Sequence, residues 1–105
     1  MNTYGAHFFL NQNMHAMLRG YEEGDPLKLS TLVIFPVGET PMKAAEQIFR
    51  LTNADNRPNA HIERSMSVGD VVRIMGGNER GEIQEWWFAC ADIGFTEISK
   101  PVLDT

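Results

Sequence analysis

The stretch Val68–Ala91 reads VGDVVRIMGGNERGEIQEWWFACA. Val71–Met75 is a β-branched and aliphatic run, and Ile83–Ala91 is a longer run rich in aromatics. Both compositions favour pleated strands. Between them Gly76, Gly77, Asn78 and Gly81 accept the positive φ angles that a tight reversal needs, so the stretch predicts an antiparallel hairpin. The same glycines look like a phosphate cradle, but no Lys-Ser or Lys-Thr pair follows and strands stand where a helix would be required. A hairpin turn is the better reading. Gly69 and Asp70 predict a turn or bulge at its entrance.

Within the second strand, Trp86 and Trp87 are neighbours and must point to opposite faces of the sheet. One indole then faces a helix layer, and the other is covered by N-terminal segments or left open to a partner. Ala89 and Ala91 share the face of Trp87 and leave room for a helix, which predicts Trp87 as the core member and Trp86, beside Phe88 and Cys90, as the outward one. Trp86, Trp87 and Phe88 are candidate protein-contact residues, because partly open aromatics are enriched at binding hot spots.

Working outward, Thr40 followed by Pro41 is a helix start: the hydroxyl caps free N–H groups, and proline has none to waste at the first helical position. Ala45, Ile48, Phe49 and Thr52 form one stripe with Met42 at its edge, while Lys43, Glu46, Gln47 and Arg50 lie away from it. An amphipathic helix over about residues 41–53 follows, with Phe49 expected in the core. A polar loop then runs to about Glu63. Tyr4–Leu10 predicts a first strand, Met14, Met17, Leu18 and Tyr21 have the spacing of a short helix, and Phe95–Ile98 makes a short last strand. Leu27–Phe35 becomes continuously apolar from Leu32 and predicts a central strand covered on both faces. The fold expected is α+β: an antiparallel or mixed sheet of four to five strands, with the one main helix on one face. At 105 residues the chain has the size of a single domain, 1–105.

Lys plus Arg number 9 against 14 Asp plus Glu, a net charge of -5, and no stretch concentrates the basic residues. Binding to a phosphate backbone needs clustered cations, so nucleic acid is a disfavoured partner. The single cysteine, Cys90, lies in an apolar run with no cation beside it; it reads as a small core residue in a reducing cytosol, not as a nucleophile. His7, His15 and His61 show no metal-ligand spacing, and Glu22, Glu23 and Asp25 lack the alternation of a calcium loop, so they read as a solvated loop. No catalytic, cofactor-binding or metal-binding residue is therefore expected. No run is long and apolar enough to suggest a membrane span, and the N-terminus lacks the pattern of a secretory signal. A cytoplasmic protein is expected.

The segment Arg64-Ser65-Met66-Ser67-Val68-Gly69-Asp70-Val71-Val72, followed by Trp87-Phe88-Ala89-Cys90-Ala91 and Ile93-Gly94-Phe95, resembles the YodL-like domain of phages, conjugative elements and small proteins of Gram-positive bacteria. Ile48-Phe49-Arg50-Leu51-Thr52-Asn53 is similar to the helix end that precedes this motif in the family. The resemblance covers about residues 44–98; Met66 stands where leucine is usual, and the turn at Gly76–Glu85 is longer. It implies an accessory protein of a phage or mobile element and no catalytic residue. Read physically, the motif is architectural: Ser65 or Ser67 caps a single turn over Val68, Gly69 and Asp70, and the Asp70 carboxylate accepts backbone N–H groups where the strand begins. The function expected is non-catalytic binding of a host protein or of a second copy of the chain. A nucleic-acid-associated role would need Arg57, Arg64, Arg73 and Arg80 to gather on one side, and a small enzyme would need an acid, base and nucleophile that the sequence does not assemble.

Overall fold

The computed structural model describes residues 2–30, 34–53, 66–77 and 80–101. Nine elements follow in chain order: β1 (Asn2–Thr3), β2 (Gly5–Asn11), α1 (Ala16–Arg19), β3 (Leu27–Leu29), β4 (Val37–Gly38), α2 (Pro41–Thr52), β5 (Val71–Gly77), β6 (Ile83–Cys90) and β7 (Phe95–Ile98). The fold is α+β. An antiparallel five-stranded sheet has the order β3-β2-β5-β6-β7, and β1 pairs with β4 in a small second sheet.

The hairpin read from Val68–Ala91 supplies the centre. β5 and β6 pair from Val71↔Ala89 to Gly77↔Ile83, and β2 adds to the other side of β5 from Gly5↔Met75 to Phe9↔Val71. Residues in register share a face, so Phe8, Val72 and Phe88 point one way while Phe9, Val71 and Ala89 point the other. The first face carries α2. Thr40 Oγ1 accepts the Lys43 N–H at its start, as the Thr-Pro pair predicts, and Ala44, Ala45, Ile48 and Thr52 are its buried residues. They close on Phe8, Leu10, Val72, Ile74, Phe88 and Cys90, with Tyr4 and Met66 completing the core. Two alanines let the helix come close, and Gly38 lets β4 come closer still: a Cβ there would stand 2.8 Å from the Ala44 nitrogen. Gln47 Oε1 accepts the Val37 N–H and ties helix to strand.

Three expectations are corrected. Phe49 is not a core residue; it is 38% exposed, and its ring meets the edge of Phe95 at the rim of the helix layer. Ile48 is the largest side chain the helix buries completely. The run from Leu27 does not form a central strand. Its described part, β3, lies at the edge of the sheet, paired on one side only, with Leu29 and Phe35 exposed and residues 31–33 outside the described residues. An apolar run signals burial without saying which neighbour supplies it, and here Ile34 rejoins β2 only through one bridge to Ala6.

The helical spacing at Met14–Tyr21 does give α1, but of that apolar set only Tyr21 turns inward; Ala16 is the buried residue of the helix. Finally, Trp87 is the better-buried indole at 4% exposed, as expected, but the face that receives α2 is the one Trp86 points to. Trp86 shares the helix face with Phe88 and Cys90, edge-on to Tyr4 at 6.2 Å, whereas Trp87 lies on the opposite face with Phe9, Val71 and Ala89. The small residues that admit the helix sit on the helix itself, not on the strand beside Trp87.

Candidate functional site

Three regions carry the polar and exposed groups, and each is set up by chain segments far apart in sequence. The first is a buried network beneath α1. At the end of β2 the Asn11 N–H donates to Asp70 Oδ1 at 2.8 Å, and the Ser67 N–H donates to Asp70 Oδ2 at 2.9 Å. The Asn11 side-chain amide donates to the Gly69 carbonyl and to Asp25 Oδ2, at 2.9 and 3.0 Å. Asp25 in turn is gripped by the Arg19 guanidinium through both oxygens, at 2.9 and 3.1 Å, and also receives the Asn13 amide and the Glu22 N–H. The Arg19 hydrogen bonds hold the Asp25 carboxyl well below the usual carboxylate range. The loop at Glu22–Asp25 is thus not uniformly solvated: Glu22 and Glu23 are exposed, but Asp25 is buried.

Gly69 is the hinge of this network. Its φ of +95° suits glycine alone, and an added Cβ would lie 2.6 Å from Ala16 Cβ, so α1 rests directly on the turn. With Ala16 facing inward, Met14 is 86%, Met17 59% and Leu18 86% exposed. The result is an apolar ridge held from below by a saturated polar network.

The second region is the sheet face opposite α2. Phe9 stacks on Trp87 with ring centroids 5.6 Å apart, and the Arg73 guanidinium lies 5.8 Å from the indole centroid. Arg73 Nε donates to Glu85 Oε2 at 2.7 Å, the Trp87 N–H reaches Glu85 Oε1 at 3.4 Å, and Lys100 lies 3.8 Å from the same carboxylate. These partners, Arg73 first, draw the Glu85 carboxyl below its ordinary value. Trp87 is covered by the protein's own side chains.

The third region is the outer edge of the sheet at β7. The Ala91 N–H donates to the Gly94 carbonyl across the turn, so hydrogen-bonded pairs recur at Ala89↔Thr96 and Trp87↔Ile98. Phe95 and Glu97 occupy the alternate positions, and their N–H and C=O groups point away from β6. Beside this edge a cleft of about 280 Å³ opens between α2 and the β6–β7 turn, lined by Glu46, Phe49, Arg50, Cys90, Ala91, Asp92, Gly94 and Phe95. Burial, helped by Asp70 and Asp92, pushes the Cys90 thiol up to about 11, which keeps it protonated and unreactive at neutral pH.

Of the residues singled out in the sequence, Trp87 and Phe88 are buried and Trp86 is half-buried, so none presents an open indole or phenyl ring to solvent. Gly69 and Asp70 lie together in the buried turn, and Asp70 accepts backbone N–H groups as read. Ser67 contributes its backbone N–H to Asp70 and its carbonyl to the Asp70 N–H. Ser65 lies outside the described residues, as do Arg57, Arg64 and His61. Arg73 is engaged by Glu85, and Arg80 stands exposed at the far end of the hairpin. Asn11, Arg19, Asp25, Met14, Met17 and Leu18 carry the network and ridge, and sequence reading did not select them as a site. Their only local signal is the pairing of an apolar helical spacing with Asn11-Gln12-Asn13.

Among the described residues no group of three or more His, Cys, Asp and Glu side chains is placed to hold a metal ion, and no helix is long and apolar enough to cross a membrane. No family model, curated protein or solved structure matches the chain.

Proposed function

We propose that this chain is a non-catalytic protein-binding module, working in the cytoplasm as an accessory protein of a phage or mobile element and acting on a host protein. The ridge on α1 is the observation that supports the binding role. Met17 and Leu18 on α1 and Met14 in the turn just before it lie within five residues, and all three are exposed. Methionine adapts its unbranched side chain to many apolar partners, and grouped exposed apolar side chains mark contact surfaces more often than isolated ones do. The network of Asn11, Asp25, Arg19 and Asp70 fixes the helix beneath them, so little ordering entropy is lost when a partner docks. The mobile-element setting rests on the resemblance of residues 44–98 alone.

Leu18→Glu tests the reading. The side chain is exposed, so stability should change by no more than about 0.5 kcal/mol. A host protein captured by the wild-type chain should be lost or weakened at least about tenfold, as expected for a hot-spot residue, and should be retained by Lys43→Ala on the outer face of α2. Binding measured on the purified pair decides the matter, and equal affinity for wild type and Leu18→Glu removes the ridge from the interface.

A further inference from the structure

We propose that the outer edge of β7, with the cleft beside it, binds an extended basic peptide segment of a partner protein by strand addition. The position is distinct from the α1 ridge and does not depend on it. Three observations converge there. First, β7 ends the sheet, and the N–H and C=O groups of Phe95 and Glu97 point outward with no hydrogen-bond partner among the described residues. Such a row of unpaired groups is a template for another strand. The opposite edge is less suited: β3 has three residues, with Lys28 at its centre and Pro26 just before it.

Second, an added strand would send alternate side chains toward the helix side of the sheet, where the cleft lies. Phe49 and Phe95 meet edge to face there at 6.4 Å, over Ala91. A volume of about 280 Å³ falls just below the roughly 300–1,000 Å³ of small-molecule sites, and suits one large apolar side chain. Third, the surrounding charge is negative. Glu46, Asp92 and Glu97 border the cleft and edge against Arg50, with Lys43 reaching only Glu46 at 3.5 Å. Lysine or arginine residues flanking the apolar anchor complement that field.

The probe is the peptide acetyl-Lys-Val-Phe-Val-Lys-amide, titrated into the full chain labelled with nitrogen-15, beside a counterpart with glutamate at both ends. The lysine peptide should bind at least about tenfold more tightly than the glutamate peptide, as complementary charge predicts. Its binding should slow hydrogen exchange at the Phe95 and Glu97 amides, which face solvent in the free chain, and leave Thr96 and Ile98, already bonded to β6, unchanged. Glu97→Pro removes one outward donor at a position where an edge strand tolerates proline, and should weaken binding about tenfold or more. Glu97→Gln, which removes only charge, should weaken it less. N-methylation of the peptide backbone on either side of its phenylalanine should abolish binding without touching the protein's stability.

The proposal is overturned if neither peptide binds, if the glutamate peptide binds as well as the lysine peptide, or if binding leaves the Phe95 and Glu97 amides unprotected. Full affinity in the N-methylated peptide overturns it as well. Protection of those two amides that rises with protein concentration, in the absence of peptide, would assign the edge to a second copy of the chain instead.

Discussion

Trp87→Ala is expected to cost about 3 to 5 kcal/mol, the range for truncating a large buried aromatic. The indole is 4% exposed, stacked on Phe9, and covered by Arg73 and Ile98, so its removal opens a cavity that Val71 and Ala89 are too small to fill. Trp86→Ala should cost less, about 2 kcal/mol, because that indole is half-buried and its main specific contact is the edge of Tyr4. Urea denaturation of the two variants checks the order. Equal losses, or the reverse order, would mean that the sheet face opposite α2 is less well covered than the Phe9, Arg73 and Glu85 contacts require.

The second large effect lies in the buried turn. Asp70 is fully buried, and its two carboxylate oxygens receive the N–H groups of Asn11 and Ser67. Asp70→Ala strands both donors in the interior, at an expected cost of about 3 to 5 kcal/mol from two lost charge-assisted bonds. Asp70→Asn, which keeps one acceptor oxygen, should recover part of that loss. The same denaturation measurement reads both, and a loss within error of zero for Asp70→Ala would show that the turn is held by other contacts.

Its neighbour Asp25 makes the fold sensitive to acid. The carboxyl is depressed in the folded chain relative to its unfolded value of 3.8, mainly by the hydrogen bonds from Arg19. The folded state therefore holds the proton more weakly than the unfolded state does. Stability from this group is fully present above the unfolded value and is lost progressively as the pH falls below it. Asp25→Asn should flatten that acid limb of the stability curve, and melting curves from neutral pH down to about pH 2 display it. An acid limb unchanged in the variant would assign the loss to other carboxylates.

Much of the architecture was legible because its signals are local. The Thr40-Pro41 start and the 3.6-residue stripe announce α2, and the glycine-rich reversal announces the β5–β6 hairpin, although Gly76 and Gly77 extend β5 and, of these glycines, only Gly81 takes a positive φ. Face and rank within the sheet are not local properties. Strand alternation places Trp86 and Trp87 on opposite sides, but which side receives α2 depends on how Ala44, Ala45 and Ile48 dock, and nothing next to the indoles encodes that. Phe49 lay on the predicted stripe and still came out at the rim, because the narrow helix contact closes over Ala44 and Ile48 before it reaches the ring. The Asn11, Asp25 and Asp70 network joins segments with no shared periodicity, and the cleft at β7 exists only because Phe49 and Phe95 are brought together by the packing of α2 on the sheet. Polar residues in loops read as solvated until the tertiary partner that buries them is known.

The insertion of β2 between β3 and β5 also sets the order in which the chain can assemble. β5, β6 and β7 form a meander of neighbouring segments whose pairing closes only short loops, whereas Gly5 must find Met75 and Phe9 must find Val71 across most of the chain. Long-range pairing of this kind is slow, because the entropy of closing the loop is lost before any contact compensates for it. On the ribosome β2 emerges well before β5, and until β5 follows it has only the three-residue β3 to pair with in this sheet. In that interval the edge of β2 that β5 will cover stays open beside the apolar side chains of Phe8, Phe9 and Leu10, the kind of exposed segment that chaperones hold and that aggregates when they do not.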